Sequence, residues 1–181
     1  GKIIYRDFGE MLFTHFGVSG PMVLSASAHL QDMTPDRYVL YIDWKPALTP
    51  EQVDARLCRE LQENANSDCG NMLRRLLPQS AIPVFAALAA VDTAAKCHAV
   101  TREQRHALGA VLKHFPVHIS GTRPIAEAIV TRGGVCVKEV QAATMASKLV
   151  KGLYFAGELL DVDAYTGGFN LQIAFSTGAA A

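Results

Sequence analysis

The chain has 181 residues, half of them hydrophobic and 19% charged, and its 17 basic and 17 acidic residues give zero formal net charge. That composition belongs to a globular protein with material for a core and excludes a disordered chain; the even spread of charge argues against nucleic acid or an anionic membrane as the main partner. No apolar run approaches the ~20 residues of a membrane span and no signal peptide opens the sequence. Cys58, Cys69, Cys97 and Cys136 lack Cys-x-x-Cys spacing, so reduced thiols in a cytoplasmic protein are expected.

In chain order, residues 2–14 read as one or two strands, broken near Arg6-Asp-Phe-Gly9 by turn-forming Asp7 and Gly9. The chain turns at Gly17; Ser19 can cap a helix with Pro21 early in it, and residues 22–30 are apolar on most sides, predicting a well-buried helix. Residues 38–44 are aromatic and β-branched and predict a strand. Thr49-Pro-Glu-Gln52 and Thr101-Arg-Glu-Gln104 are capping boxes, in which the threonine hydroxyl and the glutamine side chain satisfy each other's free N–H groups. Val53, Leu57 and Leu61 follow the first at helical spacing; Leu108, Val111, Leu112 and Phe115 follow the second. With shorter helices over 71–77 and 82–91, residues 49–115 form a bundle of three or four helices.

From Pro116 the pattern returns to strands, over 117–120, 125–131 and 135–140, with one or two helical turns over 144–150. Residues 153–156 are a short apolar run of the kind found in buried strands, and Gly157 permits a bend that leaves Glu158 at the strand end. Ligands of open α/β sheets sit outside such ends, so Glu158 is placed for a sugar hydroxyl. Gly167 and Gly168 let the main chain approach a flat ligand. Asn170 reads as the N-cap of a final apolar helix, whose free N–H groups would face an electron-rich oxygen.

Three stretches carry a resemblance. Gly152-Leu-Tyr-Phe-Ala-Gly-Glu158, running on into Leu160-Asp-Val-Asp-Ala-Tyr-Thr-Gly-Gly-Phe-Asn-Leu-Gln172, resembles the last flavin-contacting segment of the aminoacetone oxidase/BaiN-type family of NAD(P)/FAD-dependent oxidoreductases. Leu12-Phe-Thr-His-Phe-Gly-Val-Ser-Gly-Pro21 and Gly121-Thr-Arg-Pro124 leading into Thr131-Arg-Gly-Gly-Val135 resemble two further signatures of that family, in the family's order. The resemblance implies an α+β chain. Residues 1–130 would be an insert domain, a mixed β-barrel-like sheet (1–48 and 116–130) with a helical bundle (49–115). Residues 131–181 would be the truncated C-terminal part of a Rossmann-like FAD-binding domain. It also implies a missing N-terminal half carrying a Gly-x-Gly-x-x-Gly loop, which is absent here. The chain would then be the C-terminal portion of an FAD-dependent oxidoreductase, its insert domain covering the flavin and shaping the pocket for a small-molecule substrate. NAD(P)H is the implied electron donor, and the piece alone would bind no FAD and be inactive. The alternative is a structural or interaction module with no cofactor of its own.

A flavin performs its own redox chemistry, so ligand holders are the residues to seek. The resemblance assigns Glu158 to ribityl or ribose hydroxyls and Gly167, Gly168, Phe169 and Asn170 to the turn over the flavin ring. Gly133 and Gly134 read equally as cofactor contacts or as a plain bulge. His15 is the candidate proton donor, against an ordinary turn histidine. Arg123 could hold an anionic substrate group or, equally, a structural salt bridge. Asp161 and Asp163 read mainly as solvated loop acids. Clustered His or Cys ligands are lacking, so no metal is expected. Apolar surface left by Leu153, Phe155, Phe169 and Ile173 could drive homodimerisation.

Overall fold

A computed structural model describes all residues, Gly1–Ala181. The class is α+β: ten helices and strands, with the strands paired in two small antiparallel sheets. The chain divides into two compact units, residues 34–120 and residues 1–33 with 121–181. No helix is long and apolar enough to cross a membrane.

The unit of residues 34–120 is built on the two capping boxes. Thr49 Oγ1 accepts from the Gln52 N–H at 3.3 Å while Gln52 Oε1 accepts from the Thr49 N–H at 2.9 Å, starting α2 (Pro50–Glu63). Thr101 and Gln104 do the same for α5 (Arg102–Lys113) at 3.2 and 3.0 Å. Both helices turn their apolar stripes inward. Val53, Leu57, Leu108 and Leu112 are almost wholly buried, each removal from water stabilising by about 1.5–3 kcal/mol. Short helices α3 (Cys69–Leu73) and α4 (Ile82–Leu88) add Met72, Leu73 and Phe85 to this core. Strands β3 (Tyr38–Ile42) and β4 (Phe115–Ile119) pair antiparallel from Tyr38↔Ile119 to Ile42↔Phe115. Phe115 stacks on Phe85 at 4.8 Å, and Trp44 meets Phe85 edge-on at 5.2 Å. The buried carboxylate of Glu60 is compensated by Arg75 Nη1 at 3.0 Å.

The other unit is less densely packed. Strands β1 (Leu12–Thr14) and β2 (Gly17–Ser19) form a hairpin that turns at His15–Phe16, followed by α1 (Pro21–Ser27). Gly20 lies between them at φ 101°, where a side chain would press within 3.0 Å of the Met11 Cα; Gly20, not Ser19, is the N-cap. Helix α1 buries only Ser25, so the expected well-buried helix is mostly half-exposed.

Residues 131–160 are held by single bridges rather than ladders: Val135↔Leu160 parallel, Val140↔Ser147 and Ala146↔Tyr154 antiparallel. They enclose a small cluster of Val140, Met145 and Leu160. The strands expected at 2–5, 125–131, 135–140 and 153–156 therefore do not form. Strand residues need a neighbour along their whole length to satisfy N–H and C=O groups. Here residues 2–5 and 125–131 make no bridge and residues 135–140 and 153–156 only isolated ones, and turns of 3-10 helix at Ile125–Glu127, Val137–Glu139 and Gly157–Leu159 take up the backbone locally. Residues 144–150 form no helical turn either; Ala146 and Ser147 are held in isolated bridges and the chain bends after them. The last helix, α6 (Phe169–Ala180), spreads its apolar residues round the axis and buries none of them.

Candidate functional site

The turn ahead of α6 is set by two glycines in left-handed backbone, Gly167 at φ 116° and Gly168 at φ 92°. Gly168 is the N-cap, which corrects the assignment of that place to Asn170: a left-handed glycine lets the helix begin at Phe169. Asn170 instead clamps the loop. Its Oδ1 accepts from the Ala164 N–H at 2.8 Å and its Nδ2 donates to the Ala164 carbonyl at 2.9 Å.

No side chain caps α6, so its first N–H groups have no partner within the helix or from a cap. A side chain at Gly168 would meet nothing within 4 Å, and one at Gly167 would meet only the Phe169 ring. Open space over bare N–H groups at the positive end of a helix fits the electron-rich edge of a flat ring. The chain offers no glycine-rich phosphate loop for the rest of a cofactor carrying that ring.

Glu158 is exposed, on the 3-10 turn Gly157–Leu159. That turn is tied to α6, because the Gly157 N–H donates to Thr177 Oγ1 at 2.9 Å. It is also tied to residues 133–135: the Val135 N–H donates to the Leu159 carbonyl at 2.8 Å and the Asp161 N–H to the Val135 carbonyl at 2.9 Å. Gly134 fits this crossing because a side chain there would lie 2.5 Å from the Leu159 carbonyl oxygen, whereas one at Gly133 would meet nothing. The structure thus links Gly134, the Glu158 turn and α6 into one connected piece. His15 and Arg123 form a separate cluster around Phe16. The His15 ring meets Phe16 edge-on at 5.1 Å, and the Arg123 guanidinium lies 4.8 Å over the Phe16 ring. Arg123 also makes a two-point salt bridge to Glu127, at 3.0 and 2.7 Å. Asp161 and Asp163 are exposed.

A cleft of about 380 Å³ lies where residues 5–10 and α1 meet Tyr165–Thr166, the residues just before the glycine turn. Tyr5 Oη donates to Asp7 Oδ2 at 2.6 Å, and Asp7 Oδ1 accepts from the Phe8 N–H at 2.8 Å. The Asp7 hydrogen bond, burial and the Asp7 charge together push the Tyr5 hydroxyl up to about 12, against a weaker opposing bond with Ser25. The same bond, with the Phe8 N–H, holds the Asp7 carboxyl below its usual range. The His29 ring stacks on Tyr5 at 4.8 Å and lies 6.5 Å from Tyr165. Tyr5 and Asp7 did not stand out in the sequence. The available signal was their spacing, since residues two apart in extended chain point to the same side.

No group of three or more His, Cys, Asp or Glu side chains is placed to hold a metal ion. The cysteines are unpaired. Burial and then the neighbouring Cys97 push the Cys69 thiol up to about 12, which leaves it a poor nucleophile.

Residues 1–130 match the family model described as the HI0933-like protein barrel and H2TH domain. The chain is similar to the ribosomal RNA dihydrouridine synthase of Escherichia coli K12, at 35% identity over 176 residues, covering 96% of this chain and 41% of that protein. It is also similar to the 3-dehydro-bile acid delta(4,6)-reductase of Clostridium scindens, at 30% over 179 residues, covering 98% of this chain and 44% of that protein. A third relative, the ribosomal RNA dihydrouridine synthase of Haemophilus influenzae, is 33% identical over 177 residues, covering 98% of this chain and 41% of that protein. The chain thus spans about two-fifths of the length of these curated relatives.

Proposed function

Because the chain belongs to the HI0933-like protein barrel and H2TH domain family, we propose that it is the C-terminal portion of an FAD-dependent oxidoreductase that saturates a carbon–carbon double bond conjugated to a carbonyl. The relatives' names support the reaction class. Making dihydrouridine saturates the ring double bond next to a uracil carbonyl, and a delta(4,6) bond of a 3-oxo bile acid is conjugated to its ketone. The observation that carries the reading is the open Gly167–Gly168 turn at the uncapped start of α6.

When bound, the flavin supplies the hydride. This chain's own part is to hold it and to shape what approaches it. The first N–H groups of α6 stabilise the electron-rich ring edge, where negative charge grows on reduction. Asn170 fixes the loop that presents them, and Glu158 accepts from sugar hydroxyls. Gly133 would stand on the cofactor side of the crossing that Gly134 keeps closed, while an N-terminal half would hold the pyrophosphate and adenosine. That half covers α6: a helix with apolar residues on all sides and Phe169, Leu171 and Phe175 exposed is stable in water only when something packs on it. NAD(P)H is the electron donor and the enzyme works in the cytoplasm.

The test is to express the full-length parent and measure flavin absorbance per chain. A yellow protein is expected, with flavin occupancy falling in Glu158→Ala and Asn170→Ala. A colourless protein that takes up no added FAD refutes the cofactor; full occupancy in both variants refutes the site. Bleaching by NAD(P)H, and reoxidation by uridine-containing RNA or by a 3-oxo-4-ene steroid, tests the reaction class.

A further inference from the structure

One face of α6 is tied to its own chain at two points. We propose that the second of them, Thr177, is a positioning residue for the cofactor site, holding Glu158 at a fixed place relative to the start of the helix. This rests on the reading that the start of α6 and Glu158 face a flavin. Asn170, Ile173, Ala174 and Thr177 are half-buried while the other residues of α6 are exposed. Their i, i+3, i+4, i+7 spacing puts all four on one face. Asn170 clamps Ala164 at the near end of that face. Thr177, eight residues or about 12 Å of helix beyond Phe169, holds Gly157 at the far end.

The bonding of the Thr177 hydroxyl fixes its role. A threonine inside a helix can turn its hydroxyl back on its own helix. Here Oγ1 donates to the Ile173 carbonyl at 2.7 Å, with the Ala174 carbonyl at 3.1 Å. That spends its one proton and leaves its lone pairs to accept, which they do from the Gly157 N–H at 2.9 Å. No backbone carbonyl accepts from that N–H. The branched Cβ stiffens the threonine side chain. Ala174 is small enough for the turn to lie against the helix: the Cβ that Gly157 lacks would stand 4.0 Å from the Ala174 methyl. Glu158 follows directly and is exposed, so the backbone of this turn, not packing, sets where its carboxylate stands. Sugar hydroxyls and ring edge belong to one ligand. Holders already fixed to each other bind it without the cost of being ordered first.

The test is FAD titration into the flavin-stripped full-length protein, read by flavin fluorescence, in a double-mutant cycle of Thr177→Val and Glu158→Ala. Thr177→Val keeps the shape and removes the acceptor. It should weaken FAD binding about fivefold, the worth of one neutral hydrogen bond. Thr177→Ser, which keeps the hydroxyl, should restore binding. Because Thr177 acts through Glu158, its valine variant should cost nothing further in the Glu158→Ala background, a coupling that general loosening of the helix would not produce. Hydrogen exchange at the Gly157 amide should speed up about fivefold in Thr177→Val and not in Thr177→Ser. Thr177→Ala, a stronger helix former than valine, repeats the cycle independently of any folding defect in the valine protein. Unchanged FAD affinity in both the valine and alanine variants overturns the inference and leaves the flavin reading standing. A loss as large in the Glu158→Ala background as in the unmutated protein does the same. Full-length protein that takes up no FAD overturns the flavin reading and this inference with it.

Discussion

Replacing Gly134 with alanine tests how the candidate cofactor site is held. A methyl there would lie 2.5 Å from the Leu159 carbonyl oxygen, 3.0 Å from the Leu160 carbonyl carbon and 3.1 Å from the Asp161 nitrogen. All three are backbone atoms, so no rotamer change relieves the clash, and the two segments must part. Parting breaks the Val135–Leu159 and Asp161–Val135 hydrogen bonds, worth about 1 kcal/mol each. Holding an alanine at φ 143° adds about 1–2 kcal/mol. The local cost is then about 3–4 kcal/mol. Gly133→Ala is the control: its φ of 102° carries the same backbone penalty, but its methyl would touch nothing. Amide hydrogen exchange reads the effect locally. In Gly134→Ala the Val135 and Asp161 amides should lose about thirtyfold of protection relative to Gly133→Ala, because the shared backbone penalty cancels and the two hydrogen bonds leave about 2 kcal/mol, at a factor of ten per 1.4 kcal/mol. Because Glu158 sits on the turn that shifts, flavin occupancy of the full-length protein should fall with it. Equal protection in the two variants would refute the close-approach argument.

Thr101→Ala removes the hydroxyl of the capping box of α5 and should cost about 1 kcal/mol in urea unfolding; no change would mean that solvent caps the helix equally well. Phe85→Ala empties the centre of the 34–120 unit, where the ring is fully buried against Phe115 and Trp44, and should cost about 3–5 kcal/mol. Trp44 is the protein's single tryptophan, so its fluorescence reports this unfolding directly. Tyr5 should give a late phase near pH 12 in an absorbance titration at 295 nm, and Tyr5→Phe should abolish it. The sign follows from the raised value: the Tyr5–Asp7 bond stabilises the fold fully below pH ~10, the ordinary tyrosine value, and is lost as pH rises through about 12. On the acid side Asp7 is held low, so its contribution is present above the ordinary aspartate value and lost as pH falls through its lowered one.

The helices were legible because their causes are local. A capping box spans four residues, and the stripe of Val53, Leu57 and Leu61 lies on one helix that can bury it. The strands were legible only where a partner exists. Residues 38–42 and 115–119 are rich in aromatic and β-branched side chains and pair; residues 2–5 and 153–156 carry similar side chains and have at most one bridging partner. A run of apolar and β-branched residues states what a strand would do if paired, while pairing depends on distant chain. Asn170 failed as a cap for a different reason. Its amide side chain finds backbone partners six residues back, at Ala164, and Gly168 had already turned the chain. The cleft was illegible for the same long-range reason: Tyr5 and Tyr165 meet across most of the sequence.

Within the candidate site, glycine alone does not separate a structural position from one that faces a ligand; the atoms beside it do. Gly134 and Gly168 both have positive φ, and both fall in motifs shared with flavin-binding proteins by resemblance. At Gly134 the space a side chain would take is already filled by the 159–161 backbone, so the protein itself accounts for the residue. At Gly168 the space is empty, the flanking Phe169 ring is 60% exposed, and the helix behind it has no side-chain cap. Helix-end N–H groups that face solvent beside unfilled space are free to donate to an acceptor placed there. Alanine should therefore act differently at the two positions. At Gly134 it should loosen the protein and reduce flavin occupancy only through that loosening. At Gly168 it should reduce occupancy by more than the loss of stability from strained backbone accounts for.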